Sequence, residues 1–144
     1  MRIFLDTSSL IKLYHEEKDS ESFKNIIVQN SISTIFLSEL TRIEFLSALW
    51  KKLRQGELAT EIVSQIAVWF EEDAAQFTFL SLDEQIIDDA CGLLNRYGVN
   101  GLRSLDSIQL ATAIALRDRA DLFVTSDKLL GSLLAKEELP IEPK

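Results

Sequence analysis

Three aspartates stand shortly after apolar segments of the type that form strands, a position that can place carboxylates for chemistry. They are Asp6, Asp83 and Asp127. In a parallel sheet the carboxyl ends of the strands share one edge, and open α/β proteins bind their ligands there. An aspartate before a helix is, however, more often only a cap. Spacing alone does not separate these three residues, so it indicates an acidic edge without fixing its members.

Two further acids lie within predicted helices. Asp106 is in the first turn of a very apolar helix, where free backbone N–H groups and the helix dipole favour a carboxylate. Glu44 has small side chains one turn away, among them Thr41 and Ala48, which leaves room for an ion or a substrate. An ordinary solvated glutamate is the commoner explanation for a single residue of this type.

If several of these carboxylates converge, the cation they suit is Mg²⁺ or Mn²⁺, because oxygen ligands select hard cations. The only histidine, His15, lies among charged residues and indicates a surface position. The only cysteine, Cys91, lies on an apolar helical stripe and is predicted to be a core residue. The chain has no glycine-rich nucleotide-binding motif. This leaves metal-assisted hydrolysis as the predicted chemistry, in which ions activate water and stabilise the leaving oxygen of a phosphodiester.

The composition predicts one globular domain, residues 1–144, with 47% apolar and 26% charged residues. Fifteen basic residues against 23 acidic ones give a formal charge of −8, which opposes binding of a polyanion. Bound divalent cations would reverse that sign locally. No apolar run approaches the roughly 20 residues of a membrane span, and Asp6 comes too early for a signal-peptide core. We therefore expect a cytoplasmic protein.

Strand and helix patterns alternate along the chain and predict an α/β domain. Strands are predicted at 2–5, 33–37, 77–80 and 121–125, with an edge strand at 139–141. Helices are predicted at 7–14, from 19, and at 39–55, 57–73, 83–97, 105–119 and 127–137. This order favours a three-layer α/β/α fold with a mostly parallel central sheet. The pair 39–73 is expected to protrude from it, and its aromatic residues Trp50, Trp69 and Phe70 suit either the core or a partner surface.

The sequence resembles the PIN-domain family, and within it the VapC-type toxins of prokaryotic toxin–antitoxin pairs. The resemblance covers nearly the whole chain and rests on four blocks in the family's order. These are residues 4–14 (FLDTSSLIKLY), 38–45 (SELTRIEF), 102–113 (LRSLDSIQLATA) and 123–130 (FVTSDKLL). Any one block is weak evidence, but four together with the right spacing strongly indicate the fold and its acidic quartet.

The resemblance implies that Asp6, Glu44, Asp106 and Asp127 bind the metal and that Asp83 does not. It further implies supporting hydroxyls that contact the carboxylates or the substrate, and the residues concerned are Thr7, Ser8 and Thr125. Their alternative role as helix caps and strand ends stays open.

Three residues near the acids carry open questions. Arg42 and Arg103 adjoin Glu44 and Asp106 in sequence and could contact phosphates, or could pair with those acids. Gln109 departs from the family, in which many relatives carry histidine one turn after the third acid. We expect activity to survive this change, with altered substrate contacts.

The resemblance implies an endoribonuclease that acts as a toxin, forms a homodimer and is silenced by an antitoxin whose tail covers the acidic groove. Two alternatives remain open. One is a PIN nuclease that is not a toxin and serves RNA processing or acts on DNA. The other is a non-catalytic module that binds a metal ion or a protein, as a phospho-acceptor receiver does. Receivers need two adjacent acids after the first strand, whereas Asp6 is followed by Thr7.

Overall fold

The structure is a computed structural model that describes residues 1–15, 28–29 and 31–141. The helix expected from residue 19 falls largely outside these residues. Four parallel strands form the central sheet in the order β3-β2-β1-β4. Their bounds are β1 Arg2–Leu5, β2 Thr34–Ser38, β3 Thr78–Leu80 and β4 Leu122–Val124. The expected edge strand near residue 140 is limited to one parallel bridge between Phe123 and Ile141.

Both faces of the sheet are buried, which explains the nearly continuous apolar character of its strands. In β1, Ile3 and Leu5 join one core cluster while Phe4 joins the other. In β4 the neighbours Phe123 and Val124 divide between the clusters in the same way. This alternation follows from the two-residue period of a strand and requires a helical layer on each side.

Six α-helices cover the two faces in the described part of the chain. One layer contains α1 (Thr7–Leu10, continued by a 3₁₀ turn Ile11–Leu13), α2 (Leu40–Arg54) and α3 (Thr60–Asp73). The other contains α4 (Glu84–Tyr97), α5 (Ser104–Ala115) and α6 (Lys128–Lys136). The predicted three-layer fold with a parallel sheet is therefore confirmed. No helix within the described ranges is long and apolar enough to cross a membrane.

The pair α2 and α3 is less separate from the sheet than the sequence suggested. Phe45, Val63 and Phe70 are buried in the same cluster as β1 and β2, so the inner side of the pair is part of the core. Its outer side is exposed, with Trp50 and Trp69 at 46% and 47%. Phe70 is thus a core residue, and the two tryptophans remain available as contact surface.

The core position predicted for Cys91 is wrong, because this residue is exposed. The buried stripe of α4 consists of Ile86, Ala90, Leu93 and Tyr97. Cys91 lies one position beyond Ala90, and Ile87, on its own side of the helix, is 41% exposed. A 3.6-residue period shifts the buried face by about 100° per residue, so an assignment one position away is enough to exchange core for solvent.

The strand order creates a crevice between β1 and β4. The chain proceeds outward from β1 to β2 and β3, and then returns to pair β4 with the other side of β1. After β1 the chain enters α1 in one layer, and after β4 it enters α6 in the opposite layer. Such a reversal opens a cleft at the carboxyl ends of the two strands, the usual binding place in open α/β sheets.

Candidate active site

Asp6 lies at this crevice, where β1 ends and α1 begins. Its carboxylate caps α1 by accepting a hydrogen bond from the Ser9 backbone N–H, with 3.0 Å to Oδ1. The Ser8 hydroxyl donates to the same carboxylate at 2.9 Å, and the Thr125 hydroxyl donates to Oδ2 at 2.5 Å. Asp6 is only 4% exposed, so these protein donors take the place of water.

Burial raises the pKa of Asp6 from 3.8 to about 6, because desolvation disfavours the charged form. The hydrogen bonds from Thr125, Ser8 and Ser9 act in the opposite direction and limit the increase. The carboxylate is therefore held in a fixed orientation at a cost in free energy. A cation beside it would offset that cost.

Thr125 connects Asp6 to Asp127 across the crevice. The Asp127 backbone N–H donates to Thr125 Oγ1 at 3.0 Å, while Thr125 donates in turn to Asp6. The Asp127 side chain caps α6 through the Leu130 N–H, at 2.7 Å to Oδ1. The ends of β1 and β4 are thus joined through one threonine, which fixes the relative position of the two aspartates.

Glu44 is reached from α1 and α5. Its Oε1 accepts a hydrogen bond from the Thr7 hydroxyl at 2.9 Å and from Gln109 Nε2 at 2.8 Å. Gln109 Nε2 also lies 3.0 Å from Thr41 Oγ1, and Gln109 is only 2% exposed. Three elements therefore fix the orientation of this carboxylate, which lies in the second turn of α2.

Asp106 is half-buried in the first turn of α5. Its pKa is raised, first by desolvation and then by the negative charges of Asp127 and Glu44, and the charge of Arg103 partly offsets this. Asp106 is consequently close enough to Asp127 and to Glu44 to be repelled by both. With the bridge from Asp6 to Asp127, the fold connects all four acids of the predicted quartet.

Asp83, which spacing could not separate from Asp6 and Asp127, has a different place. It caps α4 by accepting from the Ile86 N–H at 3.0 Å and is exposed. It follows β3, two strands away from β1, which at about 4.8 Å per strand is about 10 Å. Strand order therefore separates it from the crevice.

The two arginines also differ. Arg103 acts electrostatically on Asp106 and stands at the N-terminus of α5. Arg42 instead pairs with Glu39 at 3.3 Å and lies over the Phe79 ring at 5.8 Å. Of the two, Arg103 is the one placed near the acids.

A family model described as PIN domain matches residues 3–132. The chain belongs to the PIN domain family. No curated protein matches this PIN domain significantly in sequence.

Solved structures with the same fold cover almost the whole PIN chain. VapC20 of Mycobacterium tuberculosis, described as a toxin that cleaves the sarcin–ricin loop, has a TM-score of 0.70 and 14% identity, covering 91% of this chain and 94% of its own. VapBC2 of Rickettsia felis, bound to a promoter DNA fragment, has a TM-score of 0.64 and 15% identity, and the match covers 99% of this chain and 98% of its own. FitAcB of Neisseria gonorrhoeae has a TM-score of 0.65 and 13% identity, and the match covers 98% of this chain and 96% of its own. At these identities the likeness shows a shared fold.

The donor set of the PIN crevice fits a hard divalent cation. It consists of carboxylates and hydroxyls, and a cation would relieve both the desolvation and the repulsion by Asp127 and Glu44 that raise the pKa of Asp106. Across residues 1–15, 28–29 and 31–141, no three Asp, Glu, His or Cys side chains form a ready-made ligand group. Asp6, Glu44 and Asp127 each accept hydrogen bonds from protein donors, and an ionised carboxylate has about four lone-pair sites, so each can keep these bonds while it binds an ion.

Sequence reasoning did not assign Gln109 and Thr41 to the site. Gln109 was noted as a departure from the family, but not as the residue that donates to Glu44. Both lie at helical spacing from predicted acids: Gln109 is three residues after Asp106, and Thr41 is three residues before Glu44. Residues at this spacing share a helix face, and that signal could have identified them.

Proposed function

We propose that this PIN domain is a metal-dependent endoribonuclease that hydrolyses RNA phosphodiester bonds. The main support is that four acids far apart in the chain lie near the crevice between β1 and β4 and are linked there by hydrogen bonds or by charge: Asp6, Glu44, Asp106 and Asp127. Desolvation and the negative charges of Asp127 and Glu44 raise the pKa of Asp106, and a bound cation would offset both effects. A hard divalent cation is the ligand that such a group suits.

We propose that the four carboxylates hold one or two Mg²⁺ or Mn²⁺ ions. When bound, such ions supply activation of water and stabilisation of the leaving oxygen. The chain's own residues orient the ligands: Ser8 and Thr125 fix Asp6, and Thr7 and Gln109 fix Glu44. At Asp6 the hydrogen bonds from Thr125 and Ser8 lower the pKa that burial raises, and they thereby favour the ionised form that binds a cation.

The test is incubation of the purified protein with total cellular RNA, with and without Mg²⁺ or Mn²⁺, followed by mapping of the cut ends. We expect cleavage that depends on the metal and is lost in Asp106→Asn. Asp83→Asn is the control for loss of an aspartate charge, because Asp83 caps a helix after a strand, as Asp6 and Asp127 do, but lies outside the crevice. Cleavage that persists after removal of divalent metal, or in Asp106→Asn, would refute the mechanism.

The same experiment separates the alternatives. A parallel reaction with single-stranded DNA tests whether the sugar is discriminated. Equal cleavage of DNA would favour a DNA-directed PIN nuclease. Calorimetric titration with Mg²⁺ separates binding from catalysis, and binding without hydrolysis of either nucleic acid would favour the non-catalytic module.

We further propose that the protein is the toxin of a toxin–antitoxin pair, acting in the cytoplasm as a homodimer. The VapBC2 and FitAcB structures give the precedent for a PIN-like fold in such complexes. In this chain an apolar hollow of about 850 Å³ opens on the outer side of α2 and α3. Ile43, Leu46 and Val68 line it and are exposed by 70%, 41% and 49%. Apolar surface exposed in this way suits a protein partner.

The toxin proposal is tested by induced expression in a bacterial host, with and without the product of a short neighbouring reading frame. We expect growth arrest that the neighbour relieves. Ile43→Asp should escape this relief while it still cleaves RNA, since Ile43 lines the apolar hollow and none of the four acids does. Growth unaffected by the active protein would favour the RNA-processing alternative. Sedimentation of the purified protein tests the dimer.

A further inference from the structure

A second hollow, distinct from the apolar one, adjoins the acidic site. Its volume is about 430 Å³, and it lies between the start of α1, the C-terminal half of α2 and the start of α6. Two of its lining residues, Ser8 and Asp127, belong to the acidic site, since Ser8 donates to Asp6. Ser126, which also lines the hollow, donates its backbone N–H to Ser8 Oγ at 3.0 Å. The hollow and the carboxylates therefore form one continuous surface.

Three lysines line this hollow: Lys12, Lys51 and Lys52. Among the described residues that line the hollow, Glu57 and Asp127 are the acidic ones, so lysines outnumber acids there by one in a chain whose formal charge is −8. The chain as a whole is acidic, so a small excess of positive charge beside the acidic site is a local feature of the kind found on binding surfaces.

The three lysines are held to different degrees. Lys12 is only 5% exposed, so its aliphatic stem is packed and its position is fixed. The Lys52 side chain is 16% exposed and its Nζ lies 3.5 Å from Glu57 Oε2. Lys51 is exposed on α2. Lys51 is thus the lysine that solvent-borne anions can reach directly, while Lys12 and Lys52 add positive charge at fixed positions beside it.

We propose that this hollow binds a backbone phosphate of the RNA strand next to the phosphodiester that reaches the acids. This inference rests on the proposed ribonuclease function and adds the site that holds the flanking chain. A strand whose reacting phosphate lies among the carboxylates must continue over a neighbouring surface, and the hollow shares residues with the acidic site. Lysine ammonium groups bind phosphates without regard to base identity.

The observations favour a phosphodiester over an acidic peptide as the occupant. Any ligand in the hollow lies against Ser8 and Asp127, beside the place where a substrate is cut. A protein with this excess of acidic residues also needs a local set of cations if it is to hold a polyanion at all.

The test measures binding of a short fluorescent single-stranded RNA to Asp106→Asn protein, which keeps the strand intact, across a range of salt concentrations. Lys51→Ala should weaken binding by up to about fivefold, the effect of one exposed ion pair. It should reduce the slope of log affinity against log salt by about 0.7, the value for one single-strand phosphate contact. Lys51→Arg should restore both. Lys136→Ala, an exposed lysine at the end of α6, removes the same charge outside the hollow and should change neither.

Cleavage by the otherwise native enzyme gives a second readout. Lys51→Ala and Lys52→Ala should raise KM with little change in kcat, because a contact to a flanking phosphate is made equally in the ground state and the transition state. If the lysine variants match Lys136→Ala in KM and in salt slope while RNA is still cleaved, the phosphate site is refuted and the ribonuclease function stands. If RNA binds through the lysines but is never cut, the phosphate site stands and the ribonuclease function fails. A glutamate-rich peptide that loses affinity in Lys51→Ala, while RNA affinity is unchanged, would overturn the proposal in favour of a peptide.

Discussion

Replacing Asp6 by asparagine should stabilise the metal-free protein while it removes cleavage. Asp6 is almost fully buried, and its pKa is raised from 3.8 to about 6. At pH 7 the folded protein therefore keeps an ionised carboxylate in a place that favours the neutral form. Because a tenfold change in ionisation equals about 1.4 kcal/mol, this costs about 3 kcal/mol. Asparagine has the same shape without the charge, and its amide oxygen can still accept from the Ser9 N–H.

The pH dependence follows from the same shift. Between pH 3.8 and about 6 the folded state binds the Asp6 proton more tightly than the unfolded state does. The destabilisation by Asp6 is therefore complete above about pH 6 and disappears as the pH falls towards 3.8. The native protein should become more stable relative to Asp6→Asn as the pH is lowered over this range. The difference between the two proteins isolates Asp6 from all other titrating groups.

The assay is urea unfolding in EDTA at several pH values between 4 and 7, followed by addition of Mg²⁺. Asp6→Asn should unfold at higher urea than the native protein at pH 7, and Mg²⁺ should stabilise the native protein more. Asp83→Asn serves as the control. Its carboxylate is an exposed cap, so the change should be at most about 1 kcal/mol in the opposite direction. A native protein that is as stable as Asp6→Asn in EDTA at pH 7 would refute the reasoning.

Substitutions at three further positions test other parts of the structure. Gln109→Ala removes the amide that donates to Glu44 and should lower kcat in single-turnover cleavage by at least about tenfold, the effect of one hydrogen bond to a charged group. Gln109→His keeps a donor and should lower kcat less, and an equal loss in both variants would show that Gln109 does not orient Glu44. Phe45→Ala leaves a cavity at a fully buried position between α2 and the sheet and should lower the free energy of unfolding in urea by about 3 to 5 kcal/mol. A decrease of less than about 1 kcal/mol would be inconsistent with that burial. Cys91→Ser should change stability by no more than about 0.5 kcal/mol, since the thiol is exposed, whereas a large loss would restore the core assignment made from the sequence.

The sequence determined the layers of the fold and predicted the type of chemistry. Strand segments alternate with helical ones, and apolar runs such as residues 3–5 can only be buried on both faces, which requires a parallel sheet with helices on each side. Carboxylates without a histidine or cysteine ligand set restrict a metal to the hard divalent cations. These conclusions depend on residue types and local periodicity, which the sequence contains directly.

Which of the candidate acids lie near one another was decided by the tertiary structure. Asp6, Asp83 and Asp127 have the same local setting, yet β1 and β4 are adjacent while β3 stands two strands from β1. Only strand order, which depends on long-range pairing, separates them. Gln109 is 65 residues from Glu44 in the chain, yet its Nε2 lies 2.8 Å from Glu44 Oε1. Lys12 and Lys51 line the same hollow only because the chain after α1 lies near α2. Such contacts arise from packing between elements, and local periodicity does not encode which elements become neighbours.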